Sequence, residues 1–173
     1  NLGAVRVSVD PLRGQKTGAY LDQRRNRDDA VELARGRVLD LFCYQGWFSL
    51  ALSAARSGEN PVTEVVAVDQ SAPALECLRR DAQENGISNI KTLKSHVFDY
   101  LEEAEKNGEK FDTILLDPPA FAKSRKDVDS AKRGYREILK RACRVLAPEG
   151  RLLFCSCSFH LTPEFFRQVL ADG

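Results

Sequence analysis

Apolar and polar positions along this chain follow two periods that take turns. Val5, Val7 and Val9 alternate with Arg6 and Ser8, the period-two pattern of a half-buried strand, and Asp10-Pro11 and Gly14 mark a turn after it. Residues 22–34 read as a helix with Asp22 as a candidate cap. Short strand-like runs then recur at 37–42, 65–68, 90–93, 113–116 and 151–156. Helix-like stretches separate them at 48–57, from 72 to Asn85-Gly86, from about 97 to 106, and at 131–146. Ser71 followed by Pro73 is a capping signal for the second of these stretches, and Thr162 followed by Pro163 opens one more helix, the last in the chain. Pro148-Glu149-Gly150 reads as a turn before the fifth strand. Strands alternating with helices imply one α/β domain, a mostly parallel sheet with helices on both faces.

Composition narrows the class. The 173 residues are 43% hydrophobic and 29% charged, an ordinary globular balance with enough chain for a real core. Twenty-six basic against 25 acidic residues leave a net charge of +1, without the overall basic field of a stand-alone nucleic-acid binder. No apolar run has the length of a bilayer span, so no membrane partner is expected. The five cysteines lack paired zinc spacing, and no metal site is expected; free thiols in a reducing, cytoplasmic setting fit them best. The chain starts at Asn1 and contains no Met, as expected of a piece of a longer protein.

Chemistry collects where the strands end. The run Thr113–Leu116 breaks at Asp117-Pro118-Pro119, two prolines that cannot continue a central ladder. A carboxylate is thereby fixed at a strand end, the edge where open α/β sheets bind ligands. The other ends carry Asp40 and the loop Cys43-Tyr44-Gln45-Gly46-Trp47, then Asp69, then His96, then Ser156-Cys157-Ser158 with His160. An acid ending the second strand suits the two hydroxyls of a ribose. Gly46 is the single glycine of the first turn, so the glycine fingerprint for a pyrophosphate is missing. A cofactor without phosphates, such as S-adenosylmethionine, fits better. Of Arg24, Arg25 and Arg27, at least two are expected on a solvated face.

Five motifs in order carry a resemblance: Lys16-Thr-Gly-Ala-Tyr-Leu-Asp-Gln-Arg-Arg-Asn-Arg27, Leu39-Asp-Leu-Phe-Cys-Tyr-Gln-Gly-Trp-Phe-Ser49, Val68-Asp-Gln-Ser71, Asp117-Pro-Pro-Ala-Phe121 and Ser156-Cys-Ser158. Together they resemble the class I S-adenosylmethionine-dependent methyltransferases of the bacterial 23S rRNA cytosine-C5 type, the family with an N-terminal PUA domain. The resemblance implies a Rossmann-like core over 37–173, with residues 1–36 as an extension closing the cofactor site. It also implies further C-terminal strands beyond this chain. Asp40, Phe42, Gly46 and Phe48 would lie around the methionine part of the cofactor, and Asp69 on its ribose. Ser71, His96, Val97 and Phe98 would lie near the adenine, with Tyr20, Gln23 and Arg24 closing the site. The family carries a Gly-Gly turn where this chain has Gly46-Trp47, and an acid where it has His96.

The implied substrate is ribosomal RNA. Carbon 5 of cytosine is a poor nucleophile, and a thiolate adding to carbon 6 activates it. The target base would be flipped out to be reached. Strand alternation leaves Cys155 and Cys157 on one side as rivals; the resemblance implies Cys157. Asp117 would stabilise the adduct, with Pro118, Phe121 and Lys123 at the base and the basic zone Lys123, Arg125, Lys126, Lys132 and Arg133 at the RNA backbone. Two other readings stand beside this one. Asp-Pro-Pro with a following aromatic also resembles RNA amino-methyltransferases acting on guanine or adenine without a thiol. The chain could also be an inactive cofactor- or RNA-binding fragment.

Overall fold

A computed structural model describes residues 5–9, 23–55, 61–121, 128–156 and 162–171. Five strands, β1 (Gly36–Leu41), β2 (Val62–Asp69), β3 (Ile90–Lys94), β4 (Phe111–Leu116) and β5 (Leu146–Phe154), form one sheet in the order β3-β2-β1-β4-β5. Every pairing is parallel. Six helices alternate with them: α1 (Arg24–Leu33), α2 (Trp47–Ala54), α3 (Ala72–Glu84), α4 (Val97–Lys106), α5 (Val128–Val145) and α6 (Pro163–Ala171). This is the Rossmann-like arrangement that the alternation of periods predicts. Among the described residues no helix is long and apolar enough to cross a membrane.

Pleating divides the central strands between two cores. Leu39, Leu41, Val66, Val68, Ile114 and Leu116 point to the face covered by α4, α5 and α6. Val38, Val65, Ala67 and Leu115 point to the face covered by α1, α2 and α3. Strands buried on both faces read as continuous apolar runs, which is why 65–68 and 113–116 are legible without alternation. Each fully buried Leu, Ile or Val on them contributes roughly 1.5–3 kcal/mol.

The caps form as the sequence implies. Ser71 Oγ accepts from Ala74 N at 3.3 Å, and Thr162 Oγ1 accepts from Phe165 N at 3.3 Å. Three expectations need correction. The Val5–Val9 alternation is not a sheet strand: Arg6 exchanges backbone bonds with the Asn85 side chain, and Ser8 bonds Asp81, both at the end of α3. The expected turn at 148–150 lies inside β5 rather than before it. Phe111 pairs with Leu146 and Thr113 with Arg151, so the intervening residues bulge out, with Glu149 at φ 60°. Phe42 is not the last residue of β1; its φ of 61° takes the chain off the sheet. The proposed cap Asp22 lies outside the described residues.

Candidate active site

Register brings the strand-end acids together. Leu41 sits beside Val68 on one side and Leu116 on the other. Asp69, the last residue of β2, and Asp117, the first past β4, therefore stand one residue further on, flanking the end of β1, while Asp40 lies one residue inside it. Asp40 is on the pleat that faces α2, and Ser49 Oγ, itself fully buried, donates to it at 2.6 Å. Burial pushes the Asp40 carboxyl up to about 7; the Ser49 bond opposes the shift, and repulsion from Asp117 and Asp69 adds to it.

The loop from β1 to α2 is wound tightly. Phe42 and Tyr44 have φ of 61° and 50°, left-handed values that cost roughly 1–2 kcal/mol each for residues with a Cβ. Gly46, at φ 66°, caps α2, and a Cβ there would meet Leu78 Cδ2 at 2.4 Å. Its glycine serves the packing of the loop on α3 as well as the turn. The winding aims Tyr44 N at Asp69 Oδ2 (2.9 Å), while Ser71 N donates to Asp69 Oδ1 (2.8 Å). Each oxygen of Asp69 thus has one backbone donor and keeps lone-pair capacity for a ligand hydroxyl.

Helix α1 covers the same edge. Gln23 Nε2 donates to both oxygens of Asp117, at 3.4 and 3.3 Å. Asn26 Nδ2 donates to Gln23 Oε1 at 2.6 Å, which turns the Gln23 amide so that its NH2 faces the carboxylate. The same Asn26 nitrogen lies 3.7 Å from Cys155 Sγ. Arg27 is buried, with its guanidinium 5.5 Å from the Trp47 ring. Arg24 and Arg25 are exposed, which matches the expected division of the three arginines. The resemblance implies Arg24 at the cofactor; the buried arginine of the three is Arg27, which shares a helix face with Gln23 and Asn26 at i, i+3 and i+4.

Other expected residues are placed as follows. Phe48 packs with Ala30, Val38 and Leu52 in the core under α1, and its neighbour Ser49 reaches the site instead. Val97 is buried in the other core, so its side chain does not face a ligand. His96 is exposed and caps α4, its Nδ1 accepting from Phe98 N at 3.3 Å. Phe98 is half-buried, 5.7 Å from the His96 ring and 5.9 Å from the Arg141 guanidinium. Ser71 is committed twice, as cap and as donor to Asp69. Pro118 is buried, and Phe121 packs against Tyr135 at 4.5 Å between ring centroids. Tyr20, Lys123, Cys157 and His160 lie outside the described residues.

Cys155, the rival thiol, follows Leu116 in the ladder, its N donating to Leu116 O at 2.9 Å. Burial pushes its thiol up to about 12, with Asp117 and Asp40 adding repulsion against the thiolate. A thiol held neutral in this way is a poor nucleophile. Buried Cys43, on the β1–α2 loop, is pushed up as well, first by burial.

The site also holds unspent polar capacity. Gln45 Oε1 and Trp47 Nε1 are buried atoms without a hydrogen-bond partner among the described residues, an acceptor and a donor on the same loop. Such atoms cost roughly 1–3 kcal/mol when left unmade. They match the ammonium and carboxylate of an amino-acid-like ligand, and the spare capacity of Asp69 matches a ribose. The residues present therefore fit a nucleoside that carries a free amino-acid end, such as S-adenosylmethionine.

A family profile described as a methyltransferase domain matches residues 33–172. Among curated relatives, Ribosomal RNA large subunit methyltransferase I of Aeromonas hydrophila is 43% identical over 174 residues, covering 99% of this chain and 43% of that protein. The protein of the same name from Photobacterium profundum is 40% identical over 172 residues, covering 98% of this chain and 42% of that one. The chain thus spans less than half the length of the curated relatives it matches. Among solved structures, the methyltransferase SMU.776, complexed with SAH, superposes with a TM-score of 0.76 at 24% identity, over 90% of this chain and 40% of that one. NSun6 from Pyrococcus horikoshii, solved with SFG, gives 0.65 at 19% identity, over 85% of this chain and 40% of that one. At such identities the solved structures speak for the fold.

Proposed function

The chain belongs to the methyltransferase domain family, and from that premise we propose that it methylates ribosomal RNA with S-adenosylmethionine, at carbon 5 of a cytosine in 23S rRNA. The observation that carries the reading is the row of Asp40, Asp69 and Asp117 at the ends of three adjacent parallel strands. The relatives named for large-subunit rRNA methylation, at 40–43% identity, support the substrate.

In this reading Asp69 takes the ribose hydroxyls, and Gln45 and Trp47 take the amino-acid end of the cofactor. The bound cofactor supplies an electrophilic methyl group. The chain's own residues prepare the acceptor. The thiolate of Cys157 adds to carbon 6 of cytosine, forming an S–C6 bond, and the ring electron pair moves to carbon 5. Carbon 5 takes the methyl; loss of its proton to a base and departure of the thiolate restore the ring double bond. N3 takes up a proton from solvent as the electron pair enters the ring, and Asp117, oriented by Gln23, accepts from the N3–H and exocyclic N–H groups of that adduct as carbon 5 is methylated. The neutral Cys155 beside it favours Cys157 as the nucleophile.

Cys157→Ala tests the reading. Cofactor binding by calorimetry should be retained, methyl transfer abolished, and the covalent complex with 5-fluorocytosine RNA lost. Full transfer by that variant would sink the carbon-5 chemistry and point to an exocyclic amino group. A protein that binds no S-adenosylmethionine would instead be a scaffold.

A further inference from the structure

The cations of α5 fall into two sets. Toward its C-terminal end they are neutralised: Arg141 bonds Glu137 at 2.6 Å and lies 3.5 Å from Glu102 of α4, and Arg144 meets Glu105 at 3.2 Å. Lys132, Arg133, Arg136 and Lys140 form no salt bridge among the described residues; Glu137, bonded to Arg141, also attracts Lys140. At about 100° per residue these four share an arc of roughly 100°, between the buried stripe and the paired arginines. Arg133, Arg136 and Lys140 are exposed, and Lys132 is half-buried. The acid on this arc, Asp129, stands in the first turn, where it answers the helix dipole, and pairs with neither neighbour.

Two features hold the arc in place beside the site. The Phe165 ring of α6 lies under Lys132 and Arg136, at 5.8 and 5.6 Å, and restrains both side chains. Tyr135, between them in sequence, touches Phe121 and donates to Pro119 O at 3.5 Å, tying this turn of α5 to the Asp117-Pro-Pro loop. From residue 132 to residue 140 the arc runs along about 12 Å of helix. In sequence Lys123, Arg125 and Lys126 precede it directly.

We propose that Lys132, Arg133, Arg136 and Lys140 form a track for the phosphates of the RNA that delivers its base to Asp117. The proposal rests on the RNA reading above and adds the surface. Four unpaired cations on one helix face cost self-repulsion that a polyanion relieves. An anionic membrane suits the arc less well, because such helices place exposed apolar side chains beside their cations. The large exposed apolar residues of the described chain are Val9, Leu33 and Leu93, none of them on α5.

The test is the salt dependence of binding to a labelled RNA hairpin, from about 50 to 200 mM salt, with the full-length protein. Changing all four residues to Gln should weaken binding at least ~10-fold and reduce the log–log slope by roughly 3. Arg141→Gln with Arg144→Gln should leave the slope as it was. Arg133→Gln with Arg136→Gln, both on exposed side chains, serves if the fourfold variant does not fold, and should reduce the slope by roughly 1–2. An unchanged slope in a variant with a native melting curve overturns the track. Unchanged RNA affinity with lost binding to phosphatidylserine vesicles overturns it in favour of a membrane surface, and the same pattern with an acidic protein overturns it in favour of that partner. If the unaltered protein methylates RNA while the variants keep their slope, the track alone fails. If the unaltered protein neither binds nor methylates RNA, the RNA reading fails and the track with it.

Discussion

The two edges of one sheet are built on opposite rules. At the edge where the strands begin, opposite charges pair. Arg37 of β1 bonds Glu64 of β2 and Glu109 before β4, both at 2.7 Å, and Lys91 of β3 bonds Glu64 at 2.5 Å. Arg37 also lies 4.4 Å over the Phe111 ring, and its backbone N donates to Asp112 at 2.7 Å. At the edge where the strands end, like charges gather. Asp40 and Asp69 are held by neutral donors, and Asp40 feels the repulsion of both other acids. The left-handed Phe42 and Tyr44 lie here too, with Gln45 Oε1 and Trp47 Nε1, which have no hydrogen-bond partner among the described residues. The first edge lowers the energy of the fold; the second stores cost that a ligand can relieve.

The sharpest way to break this comparison is at Asp117. Asp117→Asn keeps the size of the side chain and removes the charge. Methyl transfer should fall ~10²–10³-fold in kcat, as when an oriented transition-state group is lost, while cofactor affinity from calorimetry stays within ~3-fold. The carboxyl of Asp40 should titrate lower in this variant, because one source of its upward shift is gone. Unchanged transfer would reduce the row of acids to an accident of where strands stop.

How far the sequence foretells these edges depends on the range of the interaction. Ser71, Thr162 and the periods of α3 and α5 are local signals, and they form as read. Asp69 and Asp117 are legible because a strand end is a local event and parallel register then aligns them. Val5–Val9 misleads because alternation reports one buried side, not what covers it, and here α3 does. Phe48 and Val97 turn their side chains into the cores, a placement that strand-end position alone does not reveal, because one residue is about 100° on a helix. The Ser49–Asp40 bond, and the links from Asn26 through Gln23 to Asp117 and to Cys155, join residues up to 129 apart and leave no pattern in sequence. The unpaired arc of α5 is half legible: Lys132 and Arg133 are plainly basic, but only the contacts of Arg141 and Arg144 with α4 separate free cations from spent ones.

A smaller effect tests the cost at the strand-end edge. Unfolded, Asp40 ionises near its ordinary value of 3.8; folded, it keeps its proton to about 7. Between these pH values the unfolded chain has released a proton that the folded chain retains. Stability therefore falls as pH rises through this window, and the loss is complete above about 7. A shift of this size corresponds to up to ~4 kcal/mol. Asp40→Asn does not titrate, and its amide oxygen still accepts from Ser49. Urea melts should show the variant no more stable than the native protein near pH 4 and more stable by a few kcal/mol near pH 8. A gap that does not widen with pH would mean that Asp40 is ionised in the folded protein.

The smallest effect comes from the other edge and has the opposite sign. The Lys91 bond, followed by the Arg37 bond, holds the Glu64 carboxyl below its ordinary value. A depressed acid contributes stability above its unfolded pKa and loses that contribution as pH falls through the folded one. Glu64→Gln should cost most at neutral pH, and its cost should shrink as acid protonates the folded carboxyl below its ordinary value of 4.5. The Glu64 side chain is 24% exposed and that of Lys91 70%, so water and salt screen the pair and the cost is about 1 kcal/mol. Arg37 keeps Glu109 in the variant, so no charge is stranded. Melts across the pH series, extended to more acid solution, decide the matter: as pH rises, Asp40→Asn gains on the native protein while Glu64→Gln loses. Raising the salt to about 1 M should shrink the Glu64 effect and leave the Asp40 effect nearly intact, because only the second belongs to a carboxyl removed from solvent. Parallel slopes in the two variants would mean that the edges do not differ in kind.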